Sequence, residues 1–248
     1  MAGAEVLGRL SWLEATVAAK RYETTRVCSI VFECPMWEGH MAGQHVDIRL
    51  TAEDGYQAQR SYSIASSPED DHLVLTIEKL QDGEVSPYLF DVVEPGDRLE
   101  MRGPIGRFFV WKTGMGGPVL MIAGGSGVVP FRAMIRHRSA IDPATPFRLL
   151  YSARTLDDVI FRSELEEAVG DGFDLRLNLT REQPEGWYGY GRRIDAAMLA
   201  EVAWPPEQHP HAYVCGPTSF VEVAANCLVD LGHDMEAIRT ERFGPTGG

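Results

Sequence analysis

Residues 121–135, MIAGGSGVVPFRAMI, join an apolar run to a glycine turn and then to a helical pattern. Glycines let the backbone approach a phosphate closely, and the N–H groups at a helix start attract negative charge. Pro130 suits the first helical turn, where no N–H donor is lost. The spacing differs from the dinucleotide motif G-x-G-x-x-G, because Pro130 stands in place of its last glycine. It also differs from the hydrolase elbow G-x-S-x-G, because Val128 stands in place of the glycine that ends that motif. The stretch predicts a strand–turn–helix unit and leaves open whether its loop binds phosphate or only packs tightly.

The chain from about residue 115 repeats this alternation of strand and helix. Compact apolar runs at 118–125, 147–154, 173–182 and 211–217 are typical of parallel strands buried on both faces. Between these runs, apolar residues recur at helical spacing, most clearly at 218–232. In such a sheet, ligands bind beyond the carboxyl ends of the strands. We therefore expect the first and fourth runs to end at one crevice, where Cys215 is either a small buried hydrophobe or a site residue.

The first part of the chain, about 12–112, has the texture of an all-β unit. Short alternating segments at 44–50, 60–66, 72–80 and 97–104 are separated by Asp, Gly and Pro turns, which predicts a sandwich or barrel. The glycine-rich segment 111–117, WKTGMGG, is the expected linker. We predict two domains, residues 1–112 and 113–248.

Composition and charge narrow the class of protein. The 248 residues carry a net charge of −13, which argues against nucleic acid as a partner. No apolar run is long enough to span a membrane, and the N-terminus lacks the pattern of a secretory signal. The cysteines have no CxxC spacing, which argues against zinc and iron–sulfur sites and favours the cytoplasm. They are Cys28, Cys34, Cys215 and Cys227.

Two polar stretches of the β part are unusual for ordinary surface segments. Arg60, Tyr62 and Ser63 stand together in the segment QRSYSIASSPED, 59–70, as a site for a flat, anionic ligand would require. The segment 82–93 predicts a turn and a short helix, with Ser86 as N-cap and Pro87 at the first helical position. That helix start either binds pyrophosphate or belongs to a capped helix that plugs a barrel.

Five motifs in a fixed order resemble the ferredoxin–NADP reductase superfamily over nearly the whole chain. They are RSYS at 60–63, GEVSPYL at 83–89, GPIGRF at 103–108, GGSGVVP at 124–130 and YVCGP at 213–217. The resemblance implies an antiparallel Greek-key β-barrel that binds FAD, followed by a parallel-sheet, Rossmann-like domain that binds NAD(P)H. No iron–sulfur domain is fused to the chain.

The resemblance also implies site residues. Arg60 would bind flavin phosphate, Tyr62 would stack on the isoalloxazine ring, and the Ser63 hydroxyl would lie near its reactive nitrogen N5. Ser63, Cys215 and Glu241 form the expected catalytic cluster that assists hydride transfer from nicotinamide to flavin. Phe243 would cover the second flavin face, although the segment GPTGG follows it here where many members end. The other FAD contacts implied are Thr76, Glu78, Gly83, Val85 and Ser86, and the NADP contacts are Gly124, Gly125, Ser126, Gly127, Pro130, Cys215, Gly216 and Pro217.

The choice of nicotinamide rests on three residues. An extra 2′-phosphate needs cationic partners. Ser152 and Arg154 are expected just past the second strand of the parallel sheet, and Arg181 just past the third, where NADPH-dependent members hold this phosphate. The sequence therefore favours NADPH over NADH, with two solvated arginines as the alternative.

The implied activity is an FAD-dependent NAD(P)H oxidoreductase that passes electrons to a separate acceptor. The acceptor would be a ferredoxin, a flavodoxin or an oxygenase or metalloenzyme component. A free-flavin reductase and a non-catalytic electron-transfer subunit are the alternatives. An acidic partner would need a local basic patch. Arg132, Arg136 and Arg138 could form one, or they could be a solvated helix face.

Overall fold

The computed structural model describes residues 10–243. Its first part is a six-stranded antiparallel sheet in the order β4-β3-β6-β1-β2-β5. The strands are β1 (Leu13–Thr24), β2 (Val27–Glu33), β3 (His45–Thr51), β4 (Gln57–Ser63), β5 (Leu73–Glu78) and β6 (Arg98–Ile105). Residues on β5 alternate in direction: Leu73, Leu75 and Ile77 enter the core of this sheet, as the alternating pattern predicts.

The two edge strands of this sheet meet, so the sheet closes into a barrel. Ile64 and Leu75 form a β-bridge between the end of β4 and β5, and the Ala65 amide donates to the Val74 carbonyl at 2.8 Å. Helix α1 (Val85–Asp91) buries Val85 and Leu89 in the barrel core. The predicted β-barrel is confirmed.

The second part is a five-stranded parallel sheet in the order β11-β10-β7-β8-β9. Its strands are β7 (Val119–Gly124), β8 (Phe147–Ala153), β9 (Phe173–Leu179), β10 (His211–Pro217) and β11 (Ile238–Phe243). Its helices are α2 (Val129–Ile141), α3 (Arg162–Glu167), α4 (Ala196–Val202) and α5 (Thr218–Asp230). Every residue of β7 is buried, because helices cover both faces of the sheet. The predicted α/β class is confirmed.

The start of helix α1 differs from the sequence prediction. The helix begins at Val85 with Glu84 as its N-cap, so Ser86 and Pro87 are its second and third residues. The Ser86 hydroxyl accepts a hydrogen bond from the Leu80 amide at 3.1 Å. The prediction that Ser86 caps the helix is wrong, because the preceding turn needs this oxygen to satisfy a backbone donor.

The barrel and the parallel sheet share one apolar cluster. Val27, Ala42 and Ala65 of the barrel pack with residues of β7, β8 and α2. Trp111, in the segment between the two sheets, is 2% exposed and its ring lies edge-on to Phe147 at 4.9 Å. The segment predicted as a linker thus begins with a residue buried against the second sheet.

The arginines of α2 do not form a basic patch. Arg132 and Arg138 are 8% and 2% exposed, and Arg132 donates to the carbonyl oxygen of Ala65 in the barrel at 2.9 Å. Arg136 binds Asp70 at 2.5 Å. Arg132 and Arg138 are therefore not a solvated face: Arg132 reaches the barrel, and Arg138 donates to the Thr145 carbonyl of its own domain at 3.0 Å. Arg136 stays partly exposed. Among residues 10–243, no helix is long and apolar enough to cross a membrane.

Candidate functional site

A crevice forms where the strand order of the parallel sheet reverses. The chain runs from β7 outward to β8 and β9, and then returns to place β10 on the other side of β7. The helices that follow β7 and β10 therefore leave the sheet on opposite faces, which opens a gap at their carboxyl ends. The segments 124–130 and 213–217 both end there, as the sequence predicts.

The glycines of the two segments allow their backbones to touch. A Cβ on Gly127 would lie 2.1 Å from the Cys215 carbonyl oxygen, and one on Gly216 would lie 3.3 Å from the Gly124 Cα. Gly125 has a φ of +56°, which favours glycine. Pro130 stands in the first turn of α2, as predicted. The loop is thus held against β10 at the crevice.

Arg60 and Tyr62 lie two residues apart on β4, and Arg60 reaches the start of α1. The Arg60 guanidinium is more than half exposed and lies 3.6 Å from the Glu84 carboxylate at the helix N-cap. Gly83 lies in the same turn, and a Cβ there would lie 2.9 Å from the Ser86 Oγ. Tyr62 is half-buried against the barrel core, and this burial raises the pKa of its hydroxyl. The barrel thus presents a cation beside a helix start and an aromatic side chain two residues further along the same strand.

Four predicted FAD contacts have side chains engaged elsewhere. Thr76 is buried and its hydroxyl bonds that of Ser29 at 2.8 Å. Val85 belongs to the barrel core, and Ser86 binds the turn before α1. Glu78 accepts a hydrogen bond from Ser126 of the glycine loop at 2.7 Å. Glu78 thereby connects the barrel directly to the predicted nucleotide loop.

The proposed catalytic residues stand on neighbouring strand ends. Cys215 and Glu241 are register partners on β10 and β11. Ser63 is the register partner of His45 on β3, and the His45 Nδ1 lies 4.0 Å from the Glu241 Oε1. His45 thus connects the barrel residue Ser63 with the two residues of the parallel sheet.

Burial sets the ionisation of this cluster. It raises the pKa of Glu241 to about 8 and lowers that of His45, and it raises the pKa of Cys215, to which the Glu241 charge adds. In each case removal of water disfavours the charged form. At neutral pH the cluster therefore holds a neutral thiol and a carboxyl group that retains its proton.

Phe243 ends the described chain on β11, beside Pro217 of β10. Its ring is partly buried against the apolar cluster that joins the two sheets. This position is at the crevice, as the resemblance implies, while its contact with a flavin stays a prediction. The following segment 244–248 lies outside the described residues.

The residues predicted to select NADPH separate into two groups. Ser152 lies inside β8 rather than past it, is 8% exposed, and accepts a hydrogen bond from Asn178 at 3.0 Å. Arg154 and Arg181 do follow β8 and β9, and the Arg181 amide donates to the Arg154 carbonyl at 2.9 Å. Both arginines are exposed, and within residues 10–243 neither forms a salt bridge. A pair of exposed cations is a suitable partner for a phosphate.

Two residues at the junction of the domains were missed by sequence reasoning. His45 begins an alternating strand, and nothing along the chain indicates that Ser63 or Glu241 lies beside it. Arg26, in the β1–β2 turn, lies 3.8 Å from Glu78 and 3.6 Å from Asp158. The only feature of the sequence that could have indicated a role for His45 is that it is a titratable residue at the end of a predicted strand.

The groups present fit an FAD and a nicotinamide dinucleotide. An exposed arginine beside a helix start suits a pyrophosphate. A half-buried tyrosine offers a flat apolar surface to a ring. At the crevice, the backbones at Gly127 and Gly216 approach their neighbours closely, and this second site suits the nicotinamide dinucleotide.

Comparison with known proteins gives matches to both halves of the chain. The profile of the family described as "Oxidoreductase FAD-binding domain" matches residues 15–110, and that of "Oxidoreductase NAD-binding domain" matches residues 121–226. The glycine betaine monooxygenase reductase subunit of Chromohalobacter salexigens is 34% identical over 209 residues, which are 82% of this chain and 56% of the relative. The chain therefore spans little more than half the length of that relative.

Two further matches extend over most of both chains. Ferredoxin–NADP reductase B of Sorangium cellulosum is 32% identical over 210 residues, which are 82% of this chain and 84% of that protein. The FAD/NAD-binding domain of nitric oxide dioxygenase from Vibrio cholerae superposes with a TM-score of 0.83 at 26% identity. That superposition covers 94% of this chain and 99% of the domain.

Proposed function

We propose a function from the premise that this chain belongs to the ferredoxin–NADP reductase superfamily. It is an FAD-dependent NAD(P)H oxidoreductase that passes electrons to a separate acceptor protein. The observation that carries the proposal is the docking of the two domains. It brings the strand end at Ser63 and His45 against the strand ends at Cys215 and Glu241, with 4.0 Å between the His45 and Glu241 side chains.

The residues of the crevice bind and orient the two cofactors. The chemistry that bound FAD would supply is the acceptance of an electron pair from the nicotinamide and the release of the electrons to the acceptor. Arg60 and the start of α1 hold the flavin phosphates, and Tyr62 packs on the ring. The Ser63 hydroxyl donates or accepts at the flavin edge. The glycine loop at 124–127 binds the dinucleotide phosphates, while the neutral thiol of Cys215 packs against the nicotinamide.

NADPH is the preferred donor in this proposal, supported by the exposed Arg154 and Arg181 beyond β8 and β9, which form no salt bridge within residues 10–243. Ser152 is not part of the phosphate site, because its hydroxyl is buried in β8. The boundary between the domains lies in the segment 111–117. The four free thiols suit a reducing compartment, and we place the protein in the cytoplasm.

The acceptor is a redox protein, and we favour an oxygenase component. This choice is supported by the relative named as a monooxygenase reductase subunit, which shares 34% identity with the chain. Because Arg132 and Arg138 are buried and Arg136 is paired with Asp70 and Glu164, these arginines do not form a basic surface for an acidic partner.

An anaerobic titration of the FAD-loaded protein with NADPH or NADH tests the activity. We expect the yellow absorption to bleach with about one equivalent of nucleotide, and to return when an electron acceptor is added. Protein that stays oxidised with both nucleotides would instead indicate a non-catalytic electron-transfer subunit. A rate that rises in proportion to added free flavin would indicate a free-flavin reductase. Protein that cannot be loaded with FAD would contradict all three.

A further inference from the structure

Arg26 lies at the end of the barrel that faces the parallel sheet. In the turn between β1 and β2, its amide donates to the Thr24 hydroxyl at 3.2 Å, and its carbonyl accepts from the Lys79 amide at 2.8 Å. The next residue, Val27, is the register partner of Glu78 on β5 and packs in the apolar cluster that the two sheets share. The backbone therefore fixes Arg26 beside Glu78 at the domain junction.

The Arg26 guanidinium lies between a carboxylate of the barrel and a carboxylate of the parallel-sheet domain. Its Nη2 is 3.8 Å from the Glu78 Oε1 and 3.6 Å from the Asp158 Oδ1. Burial raises the pKa of the Tyr151 hydroxyl on β8, and the charges of Glu78 and Asp158 raise it further, so both carboxylates act on the same part of the parallel sheet. The three charged side chains thus form one group across the junction.

Each carboxylate also holds one part of the proposed nucleotide site. The Glu78 Oε2 accepts a hydrogen bond from the Ser126 hydroxyl of the glycine loop at 2.7 Å. The Asp158 Oδ2 accepts from the amide and the hydroxyl of Thr155, at 3.2 and 2.9 Å, in the turn after β8. Arg26 therefore connects, from the barrel, the loop proposed to bind the dinucleotide phosphates and the turn that carries the proposed 2′-phosphate arginine.

The charges of this group would repel an anion more strongly if Arg26 were absent. Glu78 and Asp158 place two negative charges beside a loop proposed to bind pyrophosphate, and Arg26 places one positive charge between them. Like charges repel, and the repulsion is stronger where water is partly excluded. Without the guanidinium, both carboxylates would act unscreened on the bound phosphates.

We propose that Arg26 is a positioning residue for the nicotinamide nucleotide, which holds Glu78 and Asp158 together across the domain junction and screens their charges from the dinucleotide phosphates. The inference rests on the proposed function, because that function places the nucleotide at the glycine loop. Arg26 belongs to the barrel, so one domain contributes to the affinity of the other for its nucleotide. Because NADPH carries the additional 2′-phosphate, its binding depends on Arg26 more than the binding of NADH does.

Calorimetric titration of the oxidised, FAD-loaded protein with NADP⁺ or NAD⁺ tests the inference without turnover. We expect Arg26→Gln to weaken NADP⁺ binding about tenfold at an ionic strength of about 0.01 M and about threefold or less at about 0.3 M, with a smaller loss for NAD⁺. Arg26→Lys keeps the charge and should retain most of the affinity. The control is Arg98→Gln, which removes an equal charge from an exposed pair with Glu14 and should change each affinity by less than about twofold.

Removal of one repelling carboxylate gives the second measurement. Glu78→Gln keeps an oxygen that can accept the hydrogen bond from Ser126. We therefore expect Glu78→Gln alone to bind NADP⁺ at least as tightly as the wild type. Combined with Arg26→Gln, it should recover most of the affinity that the arginine variant loses.

Three results would overturn the inference. The first is an unchanged affinity in Arg26→Gln. The second is a loss that neither salt nor Glu78→Gln reduces, because a purely structural role does not depend on charge. The third is weaker NADP⁺ binding by Glu78→Gln alone, a measurement that does not require Arg26→Gln to fold. A wild type that binds neither nucleotide would instead refute the proposed function.

Discussion

Cys215 illustrates how position alone decides the chemistry of a residue. Its thiol lies at the carboxyl end of β10, is 2% exposed, and has a raised pKa because of burial and the nearby Glu241 charge. A thiolate is the nucleophilic form of cysteine, and this site suppresses it. Cys215 is therefore a small buried group at the crevice, as one interpretation of the sequence expects, while its role in the site stays a prediction.

Arg154 is expected to discriminate between the two nicotinamide donors. Arg154→Leu should raise KM for NADPH about tenfold or more and leave KM for NADH nearly unchanged, because only NADPH carries the 2′-phosphate. Steady-state kinetics with both donors measures this. Arg98→Leu, which removes a positive charge from an exposed pair with Glu14 on the barrel, is the control and should change neither. Equal effects of Arg154→Leu on both donors would refute the assignment.

Gly127 is expected to tolerate no side chain. In Gly127→Ala the new Cβ would lie 2.1 Å from the Cys215 carbonyl oxygen, so the loop must move away from β10. We expect unfolding to become easier by about 1–3 kcal/mol and nucleotide affinity to fall about tenfold or more. Denaturant unfolding and nucleotide titration measure the two effects. Gly114→Ala, with φ +77° and no atom within 4 Å of the new Cβ, should retain affinity.

Helix α2 contacts the barrel at the junction of the domains, and it also follows directly after the predicted nucleotide loop. Its N-terminal turn follows the glycine loop, while Arg132 and Arg136 contact the barrel through Ala65 and Asp70. His137 adds a contact with Glu69 at 2.7 Å. One helix thus ties the position of the nucleotide loop to that of the barrel, which is the requirement for two cofactors to meet.

The Arg136–Asp70 pair is expected to stabilise this junction measurably. A double-mutant cycle with Arg136→Met and Asp70→Asn should give a coupling of about 1 kcal/mol, because two guanidinium nitrogens reach the two carboxylate oxygens. The matched cycle at Arg98 and Glu14, whose side chains are 69% and 64% exposed, should give about 0–0.5 kcal/mol. Equal coupling free energies in the two cycles would mean that partial burial does not strengthen the Arg136–Asp70 pair at the domain junction.

At the scale of the whole molecule, the two domains share apolar packing rather than a flexible tether. The cluster around Phe131 and Phe147 includes Ala42 and Ala65 of the barrel, and Trp111 joins it from the connecting segment. Charged pairs surround this cluster on α2. The domains are therefore expected to unfold together.

Trp111→Ala tests this cooperativity. The indole is almost fully buried against Phe147, so we expect a loss of about 3–5 kcal/mol of stability. Calorimetry should show one transition in the wild type and either a lower single transition or a split in the variant. Tyr188→Ala, at a residue 99% exposed, should change stability by less than about 0.5 kcal/mol. An unchanged melting profile for Trp111→Ala would show that the shared packing does not couple the domains.

The sequence by itself determined the two fold classes and the approximate positions of the parallel strands, while β1 and β2 of the barrel were not among its predicted segments. Periodicity shows which residues of a strand face a core, and turn residues mark where strands stop. β10, for example, was predicted at 211–217 and found there. The order of the five motifs indicated the superfamily before any contact was known.

Only the tertiary structure decided which residues meet. His45 lies 196 positions before Glu241 in the sequence (241 minus 45) and contacts it because two domains dock, which no local pattern encodes. The arginines of α2 look like a solvated face in the sequence, but Arg132 is buried against Ala65 of the barrel and Arg138 against carbonyl groups of its own domain. Ser152 was expected past its strand and is inside it, bound to Asn178 of the neighbouring strand. The burial of a residue and its hydrogen-bond partners depend on contacts between segments that are distant in the sequence, whereas strand and helix patterns depend on near neighbours. The sequence could therefore predict the strands and helices, and only the tertiary structure could show which side chains meet.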